Sequence, residues 1–369
     1  MADRNELASV CEQFCIEGDF EEGVPYGTGH INDTYAIRIR RGAESARYIL
    51  QRINHNVFRD VPALMANIGR VTEHLRRKIS ALPGHDPDRE TLTVIPTTGG
   101  DAYYRDENGD HWRTYIFIEG ARTYDQLESP EQAFEAARAF GLFQKRLMDL
   151  PGPRLTETIP GFHHTPTRLQ QLQEVCEKDP LNRAVDAEPE IQFAMDRAGM
   201  APTLTNLLDA GELQERITHN DTKINNVMLD DRTGEGICVI DLDTVMPGLV
   251  LYDFGDQVRT TTCTGSEDET DLGRVRFQPH RFEMIVRGYL QAAADFLTAT
   301  ELDYLAFSGR LITFEIGIRF LTDFIAGDVY FKTHRPNHNL ERARVQFERL
   351  QQMERLAPEM ERIVASHRQ

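Results

Sequence analysis

"ITHNDTKINNVMLDDRTGEGICVIDLD", residues 217–243, decides how the rest of the chain is read. It places His219, Asp221, Lys223 and Asn226 in the order H-x-D-x-K-x-x-N, and its apolar run "ICVI" ends on Asp241. Between Asn226 and Asp241 lie two extended stretches with Gly234 and Gly236 in the turn, which is the pattern of a hairpin. A tight hairpin brings its ends together, so Asn226 and Asp241 are expected to be neighbours.

Those residue types meet the needs of phosphoryl transfer. Its transition state is loose, so a protein mainly positions groups and neutralises charge. A carboxylate must orient the attacking hydroxyl and take its proton, and Asp221 has that place. A cation must offset charge on the transferring group, and Lys223 stands two residues on. Magnesium keeps most of its waters and takes one or two hard oxygen ligands, a role for Asn226 and Asp241. Any one of these residues alone would read as part of an ordinary polar loop. Together, at this spacing and before a strand ending in Asp, they mark a functional site.

Working outward, "VLYDFGDQV" at 250–258 contains Asp253-Phe254-Gly255, the letters that in protein kinases mark a magnesium carboxylate. Here they fall beyond the hairpin and across Pro247 and Gly248. The carboxylate expected to act with Asn226 is therefore Asp241, and the triplet is a coincidence of spelling.

Upstream, residues 20–118 read as strands with one helix among them. "DVPALMANIGRVTEHLRRKI" repeats Leu64, Ile68, Val71 and Leu75 at helical spacing, and Asn108-Gly109 signals a hairpin turn. After Gly120 helical patterns dominate, beginning with Ser129 as N-cap and Pro130 at the first helical position. A chain of 369 residues exceeds what one core usually serves, so two lobes are expected, joined near residue 119.

Composition excludes some partners. The net charge of −18 repels polyphosphate backbones and argues against nucleic acid, while leaving room for one phosphorylated ligand in a local positive pocket. The five cysteines are odd in number and scattered, the start has no apolar h-region, and no apolar run is long enough to span a bilayer. A cytoplasmic protein with reduced thiols and no membrane association is expected.

"YGTGHINDTYAI", "YILQRINHNVF" and "HNDTKINN…VIDLDTVMPGLVLYDFGD" together resemble the aminoglycoside phosphotransferase and choline kinase superfamily, and are most similar to the N-acetylhexosamine 1-kinases. The resemblance is strongest over residues 26–58 and 217–259. It implies an α+β, bilobal protein-kinase-like fold. A strand-rich N-terminal lobe, residues 1–118, would bind the nucleotide, and a larger helical C-terminal lobe, 119–369, would carry catalysis and the substrate. It implies Asp221 as base, Asn226 and Asp241 on Mg2+, Lys223 on the γ-phosphate of ATP, and Asp253 as a brace for the catalytic loop.

The same resemblance puts Gly27, Thr28 and Gly29 in the turn over the phosphates and Ile118 and Glu119 at the hinge facing adenine. Where relatives place a lysine on the third strand, this chain has "YILQR", so Gln51 or Arg52 must stand in. On the sugar side it implies Arg319 and Tyr330, with His30 and Asp243 as further candidates. From the residues alone, Arg319 and Asp323 would equally form a minor surface pair on one helix. The activity implied is ATP- and magnesium-dependent phosphorylation of the anomeric hydroxyl of an N-acetylhexosamine. Two alternatives stay open: a kinase for another sugar, an amino alcohol or an aminoglycoside, and a non-catalytic binding module.

Overall fold

The computed structural model describes residues 2–27 and 31–368. Thr28, Gly29 and His30 lie outside the described residues. The first elements are α1 (Arg4–Cys11), β1 (Asp19–Pro25), β2 (Asp33–Arg41), β3 (Glu44–Ile53), α2 (Val61–Ser80) and α3 (Pro87–Glu90). Four short strands follow: β4 (Val94–Ile95), β5 (Tyr104–Arg105), β6 (His111–Ile116) and β7 (Ala121–Arg122). Next come α4 (Pro130–Leu147), α5 (Thr165–Lys178), α6 (Glu188–Met195), α7 (Thr203–Asp209) and β8 (Arg216–Thr218). The chain continues with β9 (Val227–Asp230), β10 (Gly236–Val239), β11 (Met246–Gly248) and α8 (Val250–Thr261). It closes with α9 (Pro279–Ala293), α10 (Ala299–Ala326), α11 (His338–Arg355) and α12 (Ala357–Ser366).

Two compact units result. One joins the residues up to Asp125 with Arg146–Pro160 and Val227–Met246; the other joins Gln126–Lys145, Gly161–Asn226 and the chain from Pro247 onward.

The first unit is built on an antiparallel sheet in the order β1-β2-β3-β6-β4, with β5 also paired to β6. Side chains alternate between the two faces of a strand. Tyr35, Ile37, Ile39, Leu50 and Trp112 therefore share one face and form a core with Leu7 and Val10 of α1. The register aligns Thr34 with Gln51 and Gln51 with Arg113, a polar row on the opposite face. The Asn108-Gly109 turn forms as expected. Gly109 adopts φ 87°, and Asp106 accepts the N–H groups of Asn108 and Asp110, each at 2.9 Å. In α2, Asp60 caps the N-terminus and Leu64, Ile68, Val71 and Leu75 are all buried, the face read from the sequence. A second sheet, β10-β9-β7, contains the expected hairpin, turned through Gly234 at φ 75°.

The second unit is organised around α10, whose 28 residues are apolar all round and therefore central. A capping box between Thr298 and Glu301 starts this helix, and Gly327 at φ 105° ends it. Glu301 also takes a bidentate pair of hydrogen bonds from Arg216, both at 3.0 Å. Helix α8 lies against α10 at close range. A Cβ built on Gly255 would stand 2.5 Å from the carbonyl oxygen of Ser308, and one on Gly309 would stand 2.6 Å from Val258 Cγ1. Phe254 is fully buried there, worth about 1.5–3 kcal/mol of apolar burial. The DFG letters thus sit inside a helix, and their glycine serves packing.

Candidate active site

The catalytic-loop candidates belong to the second unit and follow β8. Lys223 Nζ lies 2.9 Å from Asp221 Oδ1. Asn226 Nδ2 donates to the carbonyl of Asp221 at 2.8 Å and to Oδ2 at 3.1 Å. Burial alone would push the Asp221 carboxyl up. Lys223 outweighs it, helped by His219 and Arg259, and holds the group below the ordinary carboxylate range. Lys223 is in turn held strongly protonated, first by Asp221, against its own burial. The result is a carboxylate that stays ionised and keeps its orientation.

Asp253 holds this loop from below. It is fully buried on α8 and accepts from the backbone N–H of His219 (2.9 Å), that of Asn220 (2.7 Å) and Gln144 Nε2 (2.6 Å). Its own carbonyl accepts the Thr222 hydroxyl at 2.6 Å. One turn on, Asp256 accepts the Thr222 N–H at 2.8 Å and pairs with Arg259 at 2.8 Å. Arg259 also reaches Glu267 at 2.8 Å, and Arg335 reaches Asp268 at 3.5 Å, so the acidic loop 264–271 is tied down by cations. Asn220, just before Asp221, has φ 66°, a left-handed conformation that a non-glycine residue rarely takes. Gly248 backs it closely: a Cβ there would stand 2.3 Å from Thr218 Oγ1.

Asp241 belongs to the first unit and ends β10 at φ 57°, also left-handed. Strain of this kind, on a residue whose type suits a hard cation, fits a ligand position. Asn226 spends its amide nitrogen on Asp221, which leaves its carbonyl oxygen to meet a cation. A carboxamide oxygen and a carboxylate oxygen are each hard donors of the kind that magnesium takes. Among the described residues no cluster of three His, Cys, Asp or Glu side chains could hold a metal.

The turn after Asp241 departs from expectation at Asp243. That carboxylate is 2 % exposed. It accepts Arg113 Nη1 at short range and Asn32 Nδ2 at 2.6 Å, so its oxygens are committed inside the first unit instead of facing a sugar. Arg113, on β6 and 1 % exposed, also donates from Nε to Gln51 Oε1 at 3.0 Å. Gln51 completes the row by donating to Thr34 Oγ1 at 2.9 Å. Burial opposes the guanidinium charge, but Asp243 above all, with Asp241, keeps Arg113 firmly protonated.

Strand alternation separates the two candidates that sequence left together. Gln51 faces Arg113 and Thr34. Arg52 points to the other face, over the Trp112 ring at 5.6 Å, where it pairs with Asp33 and, at 3.2 Å, with Asp110. Arg52 therefore does not share the polar row. The cation in that row is Arg113, which sequence reading missed. Its signal was a charged residue inside the apolar strand "HWRTYIF".

Of the phosphate-turn candidates, Gly27 adopts φ 78°, which glycine tolerates; Thr28 and Gly29 lie outside the described residues, as does His30. Ile118 is buried, and Glu119 turns its carboxylate to Arg47 (Nε 2.8 Å), leaving any hinge function to backbone atoms. Arg89 Nε donates to the Glu119 carbonyl at 3.3 Å.

On α10, Arg319 packs its guanidinium over Phe162 at 4.9 Å and Tyr330 at 6.0 Å, and lies 3.9 Å from Glu315. The Arg319–Asp323 surface pair gives way. Asp323 is buried and accepts the backbone N–H groups of Val329 (2.9 Å), Tyr330 (2.8 Å) and Phe331 (2.9 Å), fixing the turn after Gly327. Tyr330 is 57 % exposed beside this cation.

A phosphotransferase fold with an aspartate-centred loop is what these features define. Residues 22–295 match the model of the phosphotransferase enzyme family, and the chain belongs to that family. Its fold is shared by a choline kinase from Cryptosporidium parvum (15% identity, TM-score 0.58, 98% of each chain covered). It is likewise shared by a microcompartment-associated aminopropanol kinase (14%, 0.57, 96% of this chain and 97% of the other). A spectinomycin phosphotransferase solved with ADP and spectinomycin matches at 12% identity and TM-score 0.56, covering 99% of this chain and 98% of that one. The expected aminoglycoside phosphotransferase and choline kinase superfamily and the mixed α+β kinase-like fold are therefore both found. Among the described residues no helix is long and apolar enough to cross a membrane.

Proposed function

We propose that the chain is an ATP- and magnesium-dependent kinase that phosphorylates the anomeric hydroxyl of an N-acetylhexosamine, giving the sugar 1-phosphate. The observation that carries this reading is the Asp221–Lys223–Asn226 loop joined to the hexosamine-kinase-like stretches at 26–58 and 217–259. Nucleotide-bound relatives support ATP as donor.

Asp221 would receive the acceptor hydroxyl and take its proton as the hydroxyl oxygen bonds to the γ-phosphorus and the bond from that phosphorus to the bridging oxygen breaks, releasing ADP. Because Lys223 keeps it ionised, it orients a neutral hydroxyl well and accepts the proton late, as a loose transition state requires. Lys223 would shift part of its charge to the transferring phosphoryl group. Asn226 and Asp241 would hold Mg2+, which when bound neutralises charge on the phosphates. Gln51, held by Arg113, would stand toward the nucleotide's phosphates, with Gly27, Thr28 and Gly29 as their cover and Ile118–Glu119 as backbone hinge. Arg319 and Tyr330 would grip the sugar, with His30 as a further candidate contact.

A second reading keeps the kinase and changes the acceptor to an amino alcohol or aminoglycoside. It is supported by the fold shared with an aminopropanol kinase and a spectinomycin phosphotransferase.

The test is ADP release across N-acetylglucosamine, N-acetylgalactosamine, other free sugars, choline, aminopropanol and spectinomycin, with phosphorus NMR on any product. A sugar 1-phosphate supports the first reading. Turnover confined to the amines replaces it with the second.

A further inference from the structure

His163 and Glu315 lie buried beneath the catalytic loop, and the chemistry described so far does not use them. His163 Nδ1 faces Glu315 Oε1 at 2.8 Å, and Nε2 faces the carbonyl oxygen of Asn220 at 3.0 Å. Both partners are acceptors. Against its burial, Glu315 is held below the ordinary carboxylate range first by His163, then by Arg319 at 3.9 Å and by the Thr165 hydroxyl, which donates to its other oxygen at 2.6 Å. A neutral imidazole has one N–H and could satisfy one acceptor; two acceptors call for an imidazolium. Burial opposes that charge, but Glu315 and the Asn220 carbonyl outweigh it and hold His163 above its ordinary value.

The carbonyl involved belongs to the left-handed residue that precedes Asp221. Asn220 is therefore gripped at both ends, its N–H by Asp253 and its C=O by His163. We infer that His163 is a positioning residue for Asp221: an imidazolium that holds the Asn220 peptide in its strained conformation and, through Glu315, ties it to Arg319 on the acceptor side. This rests on Asp221 being the base. Without the Nε2 donor the buried carbonyl loses that hydrogen bond, Asn220 relaxes toward an ordinary φ, and the carboxylate of Asp221 turns away from the hydroxyl it must receive.

Two isosteric variants separate this role from mere packing. In His163→Gln the amide nitrogen reaches the position of Nε2 and still donates to Asn220. In His163→Asn it reaches that of Nδ1, still donates to Glu315 and abandons Asn220. Turnover is measured with whichever acceptor the unaltered enzyme uses, normalised to ADP-binding-competent protein. The expected result is that kcat of His163→Gln stays within about threefold of the parent while that of His163→Asn falls about tenfold to a hundredfold, with acceptor KM changing far less. Equal kcat values for the two variants, at whatever Tm, would overturn the inference.

A second measurement needs no variant. The ¹⁵N-labelled His163 ring in the intact protein at about pH 8, above the ordinary histidine value, should show both nitrogens protonated. A neutral ring would overturn the inference. Asp221→Asn serves as control: if it turns over normally, the base assignment fails whatever His163 does.

Discussion

Replacing Asp253 by asparagine tests whether the DFG letters serve structure or metal. The carboxylate receives three donors: His219 N–H and Gln144 on Oδ2, and Asn220 N–H on Oδ1. An asparagine has one acceptor oxygen, and its best placement keeps it at Oδ2, because Gln144 cannot flip while its own oxygen accepts the Tyr289 hydroxyl at 2.6 Å. The new NH2 then confronts the Asn220 N–H, leaving a buried donor without a partner. Such an orphan costs about 1–3 kcal/mol. Burial raises the Asp253 pKa, so removing the charge returns part of that loss and places the net near about 2 kcal/mol. For a unit of this size that is a fall in Tm of roughly 4–8 °C. Scanning calorimetry measures it, and magnesium titration of the ADP complex measures the alternative. Asp253→Asn should lower Tm with magnesium affinity unchanged within about twofold. A selective loss of magnesium affinity at parental Tm would refute the bracing role.

Asp221→Asn should lower turnover by about a hundredfold to ten-thousandfold while calorimetric ADP binding is retained. Lys223→Met removes the main influence that holds Asp221 low and leaves burial, which pushes it up. The ionised base is present above its folded pKa and lost as pH falls through it, so the acid limb of the kcat/KM profile should move to higher pH in the variant; an unmoved limb would detach Lys223 from Asp221. Arg113→Met strands Asp243 inside the first unit and should cost about 3–5 kcal/mol by urea unfolding, much of it regained in Arg113→Met with Asp243→Leu. A single variant as stable as the parent would show the pair to be idle.

Several elements were legible because the information they carry is local. The apolar spacing of α2, the Asn108-Gly109 turn and the hairpin after Asn226 each follow from a few neighbouring residues and their backbone preferences. The loop chemistry was legible too, since Asp221, Lys223 and Asn226 lie within one short stretch whose own hydrogen bonds fix it.

Side chains that meet from distant parts of the chain were not. No spacing shows that Arg113 on β6 meets Asp243 after β10, or that His163 stands under Asn220 with Glu315 of α10 behind it. Arg52 beside Gln51 reads as an equivalent candidate until pairing with β2 and β6 assigns the two to opposite faces, one against Trp112 and the other against Arg113. The sequence by itself determined the kinase-like class and the residue types of the catalytic loop, because reaction chemistry demands those groups at that spacing. Tertiary structure alone decided which charges are buried together, because a buried ion is tolerated only where another element brings it a partner.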